Sequence, residues 1–252
     1  MTLIASICLV NCSSDDDGEI ATDNVKLFKK LDRYHGGLFY DKTINYNSDK
    51  RIESMVINKY EGGGAPYYNA ITVSYSGSTV ATITAMIHSE DPNSINHEIT
   101  YAVSFNNNVI TLTSDELEIE IIHSNGYVDS ITKYYTDDTS QVLNASYLSR
   151  DSNQNLISIV FNGETVVNSY SDHDSDKKPD QDGIIIDVLH RDYFYLLGLK
   201  LTANNPRTYS QSILGSPGPD RTHTYEYDDE GYIIKTIAPN SVSYADTFYI
   251  EQ

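Results

Sequence analysis

Apolar and polar residues alternate one for one along most of this chain. Ile71, Val73 and Tyr75 are separated by polar residues, and Leu117, Ile119 and Ile121 by Glu116, Glu118 and Glu120. A period of two places one set of side chains on each face of an extended strand, so these runs predict strands with one buried and one wet face. Turn residues break the runs at short intervals. Asn125-Gly126 is the strongest two-residue hairpin signal, because a type I′ turn needs positive φ at both positions. Ser76-Gly77-Ser78, Asn106-Asn107-Asn108, Asn153-Gln154-Asn155, Asn162-Gly163 and Asp228-Asp229-Glu230-Gly231 mark further turns. The segment 25–31 is predicted as the first strand. The stretch 187–201, rich in Leu and Tyr, reads either as one short helix or as a buried strand.

The predicted fold class is therefore all-β, with little helix: a twisted antiparallel meander of long hairpins that curls toward an open barrel. Sequential hairpins keep neighbours local and need no crossover.

The first residues break this pattern. An uncharged apolar stretch, Thr2 to Val10, precedes Cys12, which is followed by Ser13-Ser14-Asp15-Asp16-Asp17-Gly18-Glu19. The stretch has the length of a signal h-region and is too short to span a bilayer as a helix. The arrangement resembles a bacterial lipoprotein signal. The serine–aspartate run resembles the export signal of surface lipoproteins in Bacteroidetes-type bacteria. That resemblance implies lipidation at Cys12, several acyl chains including palmitate, and an outward-facing place on the outer membrane. Residues 1–11 are then the signal peptide, 12–24 a flexible acidic tether, and 25–252 a single all-β domain.

Composition narrows the partners. Asp and Glu number 36 against 17 Lys and Arg, a formal charge of −19. Such a surface repels phosphate backbones and anionic headgroups, so nucleic acid is not an expected partner. The two cysteines, Cys8 and Cys12, both lie in the export segment. No thiol or disulfide chemistry is expected of the domain itself. Aromatic usage is skewed to 21 Tyr and 6 Phe with no Trp. Tyrosine suits half-buried strands, where the ring packs and the hydroxyl reaches water.

One hairpin pattern recurs. Tyr225-Glu226-Tyr227-Asp228-Asp229-Glu230-Gly231-Tyr232-Ile233-Ile234-Lys235-Thr236-Ile237 resembles a YD repeat of the RHS type, an aromatic strand, an acidic turn ending in Gly and an aliphatic return strand. Degenerate copies occur at 46–52, 75–83, 123–131 and 149–159. Together with Asp176-Lys177-Lys178-Pro179 and Ala203-Asn204-Asn205-Pro206, these hairpins make the chain similar to a family of Bacteroidetes lipoproteins of unknown function. That resemblance implies an all-β fold and brings no catalytic residues.

The sharpest chemical candidate is the loop 172–183. Asp172, Asp174, Asp176, Asp180 and Asp182 alternate there with other residues, and calcium takes six to eight hard oxygen ligands. The loop resembles the acidic loops of thrombospondin type 3 repeats, with Lys177 where a Gly would allow the sharp turn. The alternative is a solvated acidic loop, since exposed carboxylates 5–6 Å apart repel by only about 0.7 kcal/mol in water. Tyr67 and Tyr68 follow a glycine-rich loop, and Tyr134 and Tyr135 precede an acidic turn. Each pair is a candidate ligand platform with one member facing the core. The histidines at 35, 88, 97, 123, 173, 190 and 223 show no metal-site spacing, and no nucleophile elbow or phosphate loop is present.

The expected function is non-enzymatic binding of a glycan or a protein partner at the outer membrane, as an accessory to a Sus-type uptake complex. Two alternatives stand beside it: a structural or assembly component of the envelope, and a hydrolase with acidic catalytic residues.

Overall fold

The computed structural model describes residues 27–35, 38–60, 67–89, 97–161, 165–175, 191–237 and 243–250. Antiparallel strands form one long meander. Its first half comprises β1 (Leu27–His35), β2 (Leu38–Tyr46), β3 (Ile52–Tyr60), β4 (Tyr67–Ser76), β5 (Thr79–Ser89), β6 (His97–Asn106), β7 (Val109–Thr113), β8 (Leu117–Ser124) and β9 (Tyr127–Tyr135). It continues with β10 (Val142–Arg150), β11 (Leu156–Phe161), β12 (Val166–His173) and β13 (Pro206–Ile213). One helical turn, α1 (Arg191–Leu196), stands between β12 and β13. The chain ends through β14 (Ser216–Pro217), β15 (Arg221–Thr222), β16 (Thr224–Tyr227), β17 (Ile233–Ile237) and β18 (Ser243–Ile250). The predicted all-β meander is the fold, and the stretch 187–201 supplies its short helix.

Each strand from β1 to β13 pairs with the next, β12 and β13 doing so across the crossing at α1, and β1 also pairs with β18. The sheet therefore curls, but among the described residues no ladder closes it into a barrel. β15 pairs with β13, whereas β16 pairs with β17. The extended stretch 221–227 changes partner at His223, whose N–H donates to the Arg207 carbonyl at 2.7 Å. Among the described residues β14 and β15 have a ladder on one side only, which leaves a seam beside β13.

The alternation sorts the faces. Ile44, Met55, Ile71, Ile83, Tyr101, Ile110, Leu112, Ile119, Ile121 and Ile131 point inward and form one buried cluster. Lys42 and Asn168 are buried polar residues. The outer face of the early strands carries a polar row. Register aligns Ser54, Thr72, Thr84 and Thr100 in one outer row, and Thr84 and Thr100 share a 2.9 Å hydrogen bond between hydroxyls.

α1 fills the curl. Phe194 is buried in the core, and the Tyr193 ring meets Tyr101 edge-on at 5.7 Å. Gly198, at φ 70°, ends the helix in the left-handed region, and the Leu199 N–H returns to the Phe194 carbonyl at 2.9 Å. That is the six-to-one bond of a Schellman cap.

Residues 199–205 then cross the strand ends as a strap. Lys200 bonds through its backbone to Gly126 and Val128 at 2.8 and 3.0 Å, the Ala203 N–H donates to the Gln154 carbonyl at 3.0 Å, and the Asp174 N–H donates to the Asn205 carbonyl at 2.9 Å. The strap thus ties together the ends of three hairpins that are remote in sequence. It defines a strapped end of the sheet. The opposite, far end carries the turns at 114–116, 136–141 and 214–215.

Three turns at the strapped end share one hydrogen-bond pattern. In 47–51, 151–155 and 228–232 the first side chain accepts from the backbone N–H groups of the third and fifth residues, at 2.8 to 3.0 Å. The fourth residue has positive φ in each: Lys50 at 59°, Gln154 at 64° and Gly231 at 84°. A register shift precedes each turn. Short side-chain oxygens of Asn and Asp imitate a backbone acceptor, which is why this geometry recurs on those residues. The hairpins at 75–83 and 123–131 differ. They turn in two residues, and Asn125 and Gly126 adopt φ of 52° and 80°, as the type I′ reading requires.

Candidate functional site

Of the candidate calcium ligands, the structure describes Asp172 and Asp174. Asp176, Asp180 and Asp182 lie outside the described residues. Asp172 is exposed, with φ 53°. Asp174 is buried just past the end of β12, and its carboxylate is held by an ion pair with Arg207 and a hydrogen bond from the Tyr227 hydroxyl. No group of three or more metal-ligating side chains occurs among the described residues. An ion at Asp174 would compete with both partners.

The tyrosine pairs also divide. Tyr67 and Tyr68 open β4, where their backbones pair with Ser89 and His88. Tyr134 faces outward opposite Glu118 and is half-buried. Tyr135 faces inward opposite Leu117 yet is 45 % exposed. The expectation that one of this pair joins the core is corrected here. β9 ends at Tyr135, and its inner face has already reached the open far end. Cys12 lies outside the described residues, as do the signal and tether segments.

Two features that periodicity could not reveal come from register and seam. The first is an outer row. Val109, Ile122, Ser130, Tyr147, Val160, Val167, Ser212 and Pro217 are successive partners across β7 to β14. It is a largely apolar row on the outer face, with Tyr147 50 % exposed at its middle.

The second is a cleft of about 360 Å³ at the far end of the seam, lined by Gln211, Ile213, Ser216, Pro217, Gly218, Pro219 and Arg221. Gln211 and Ile213 continue the inner-face row that begins with Tyr209. The Gln211 amide donates to Oδ1 of buried Asn168 at 3.0 Å. The Gly218 N–H donates to the Gln211 carbonyl at 2.8 Å. A Cβ at Gly218 would stand 2.7 Å from that oxygen, so the close approach needs glycine. The neighbouring turn, Leu214-Gly215, has φ of 50° and 77°. Leu214 is therefore a non-glycine residue in the left-handed region, and it is 78 % exposed.

The charged groups divide by role. Arg51, Arg150 and Arg207 each hold an aspartate: Asp49 at 2.7 Å, Asp129 at 3.0 Å, and Asp174. Arg221 has no ion pair or hydrogen bond from its side chain among the described residues. Burial pulls the Arg150 guanidinium below its usual pKa, against the opposing pull of Asp129. Among the described residues, Asp138 and Asp151 are displaced downward. Hydrogen bonds from Ser140 and Gln141 lower Asp138. At Asp151 desolvation raises the pKa, but hydrogen bonds from Asn155 and Asn153 and the charge of His173 outweigh it. Neither carboxyl lies in the cleft.

The fold has counterparts among solved structures. A porin-like protein from Bacteroides uniformis ATCC 8492 aligns over 88 % of this chain and 96 % of its own, with a TM-score of 0.58 at 14 % sequence identity. A porin-like protein from Bacteroides vulgatus ATCC 8482 aligns over 88 % and 98 %, with a TM-score of 0.41 at 13 % identity. No family model matches the chain, and no curated protein matches it in sequence. What the first alignment shows is a shared fold.

Proposed function

We propose that this is an outer-membrane surface protein, anchored by lipid at Cys12, that binds a ligand outside the bilayer. The carrying observation is the direction of the alternation. A strand that crosses a membrane turns its apolar residues outward and its polar ones toward a lumen. Here Ile57, Ile71, Ile83, Ile110, Ile119, Ile121 and Ile131 point inward into one cluster with Phe194 of α1, and Ser54, Thr72, Thr84 and Thr100 form an outer row across β3 to β6. The porin-like fold neighbour supports association with the outer membrane. The reversed faces support a place on that membrane, held by a lipid.

Binding is favoured over hydrolysis by the cleft. It is lined by no Asp, Glu or His. A glycosidase-type acid needs a raised pKa, whereas Asp138 and Asp151, among the described residues, are both lowered.

The test is localisation of wild type and Cys12→Ser. Wild type is expected in the outer-membrane fraction and to be shaved by protease on intact cells, with Cys12→Ser released to the soluble fraction. Retention of Cys12→Ser in the membrane would overturn the reading.

The outer apolar row favours a second reading, a component of an envelope assembly. Valines and an exposed tyrosine suit a protein surface better than a sugar, because they offer contact area with few hydrogen-bonding groups. Tyr147→Lys would then lose a co-purifying outer-membrane protein; unchanged co-purification would exclude this row as the contact.

A further inference from the structure

We propose that the far-end cleft binds a hydroxylated carboxylate, namely a sugar acid, either free or at the end of a glycan. This rests on the binding reading above and names its ligand class.

The size is the first constraint. About 360 Å³ falls at the small end of the roughly 300–1,000 Å³ typical of small-molecule sites. The cleft holds one compact group and no extended protein surface.

The charge is the second. In a chain with 36 acids, three described arginines are neutralised by aspartates and Arg221 is not. A guanidinium presents a planar fork that matches a carboxylate in a bidentate pair. The cleft offers no second cation. Pro217 and Pro219 have no N–H, so its rim is also short of the backbone donors that build a phosphate cradle. The match is to a single negative charge.

The remaining lining groups suit hydroxyls and a ring face. Gln211 has committed its amide nitrogen to Asn168, itself only 1 % exposed, which leaves its carbonyl oxygen as an acceptor. Ser216 adds a hydroxyl, which can donate or accept. Ile213, Pro217 and Pro219 supply apolar wall for the C–H face of a sugar ring. The two prolines also prevent regular strand addition along this edge. Recognition then proceeds through side chains.

The experiment is isothermal titration of the detergent-solubilised full chain with sodium glucuronate, trigalacturonate and glucose. Glucuronate is expected to bind, and glucose to bind at least tenfold more weakly. Arg221→Gln is expected to lose at least tenfold in glucuronate affinity, with Arg221→Lys between. Because Arg221 is exposed and unpaired, Arg221→Gln should melt as wild type does. Ser216→Ala, which leaves the charge in place, is expected to weaken glucuronate binding several-fold. A preference for trigalacturonate assigns the site to a glycan end, and equal affinity per acid to a free sugar acid. Absent glucuronate binding, or equal binding by wild type and Arg221→Gln, overturns the proposal. Glucose bound as tightly as glucuronate also overturns it, while leaving the surface-binding reading to stand or fall on the Cys12→Ser localisation.

Discussion

Arg150 donates from Nη1 to Oδ1 of Asp129 at 3.0 Å, from the end of β10 to the start of β9. The same guanidinium donates from Nε to the Leu201 carbonyl at 3.2 Å and from Nη2 to the Val128 carbonyl. One side chain therefore joins the hairpin ends to the strap that crosses them. Its removal leaves Asp129 without its counter-ion and takes the side-chain donor from two carbonyls. Arg150→Met is expected to lower stability by about 2–4 kcal/mol, below the full cost of a buried pair because Asp129 still reaches water. Urea unfolding checks this, and a loss under 0.5 kcal/mol would show that the strap holds without Arg150.

Asp151 makes the pH prediction. Its folded pKa is depressed, so its contribution is present above the unfolded carboxylate value of about 3.9 and is lost as pH falls through the lower folded value. Oδ1 accepts two backbone N–H groups, while Oδ2 accepts from the Asn155 amide at 3.0 Å. Asp151→Asn would set two amide nitrogens against each other. The variant is expected to be less stable than wild type at pH 7, with the gap closing as the pH drops below the normal carboxylate range. Denaturation curves at pH 7, 4 and 2 measure it; a gap that stays constant would refute the linkage.

The three matched turns predict opposite outcomes for related changes. Lys50 and Gln154 bear side chains at positive φ, where Gly231 stands in the third copy. Gln154→Gly is expected to be neutral or stabilising by up to about 1 kcal/mol, and Gly231→Ala to destabilise by about 1 kcal/mol. Thermal melts that rank the two variants the other way would break the equivalence.

Leu214 combines positive φ with exposure. Leu214→Asn is expected to raise stability by about 1 kcal/mol, since Asn tolerates the left-handed region better than Leu. A drop in the melting temperature would mean that Leu214 packs against something in the intact protein.

Asp174 separates an internal ion pair from a calcium role. With Arg207 and Tyr227 on its carboxylate, Asp174→Asn is expected to lower the melting temperature equally with and without added Ca²⁺. A loss confined to the calcium-containing sample would return Asp174 to the metal.

Particular residues show where sequence reading was sufficient. Ile119 and Ile121 alternate with Glu118 and Glu120, and a strand can satisfy that pattern only with two unlike faces. Asn125-Gly126 names its own turn, because both residues accept positive φ without a steric penalty. These are local properties, determined within a few residues. The surplus of acid and the scarcity of cations were equally plain, being sums over the chain.

What only the tertiary structure decided depends on register and on contacts between distant segments. Val109, Ile122, Tyr147, Val160 and Val167 look like ordinary strand residues one at a time, and a shift of one position in any strand would scatter them to opposite faces. Tyr135 has inward parity but lies where its strand runs out, so the period alone could not assign its burial. Arg221 differs from Arg150 and Arg207 in making no ion pair with an aspartate among the described residues, and charge composition has no spatial coordinate. The alternation determined that this protein is a two-faced sheet. The curl determined which side is inside, where the seam falls, and which arginine stands free beside it.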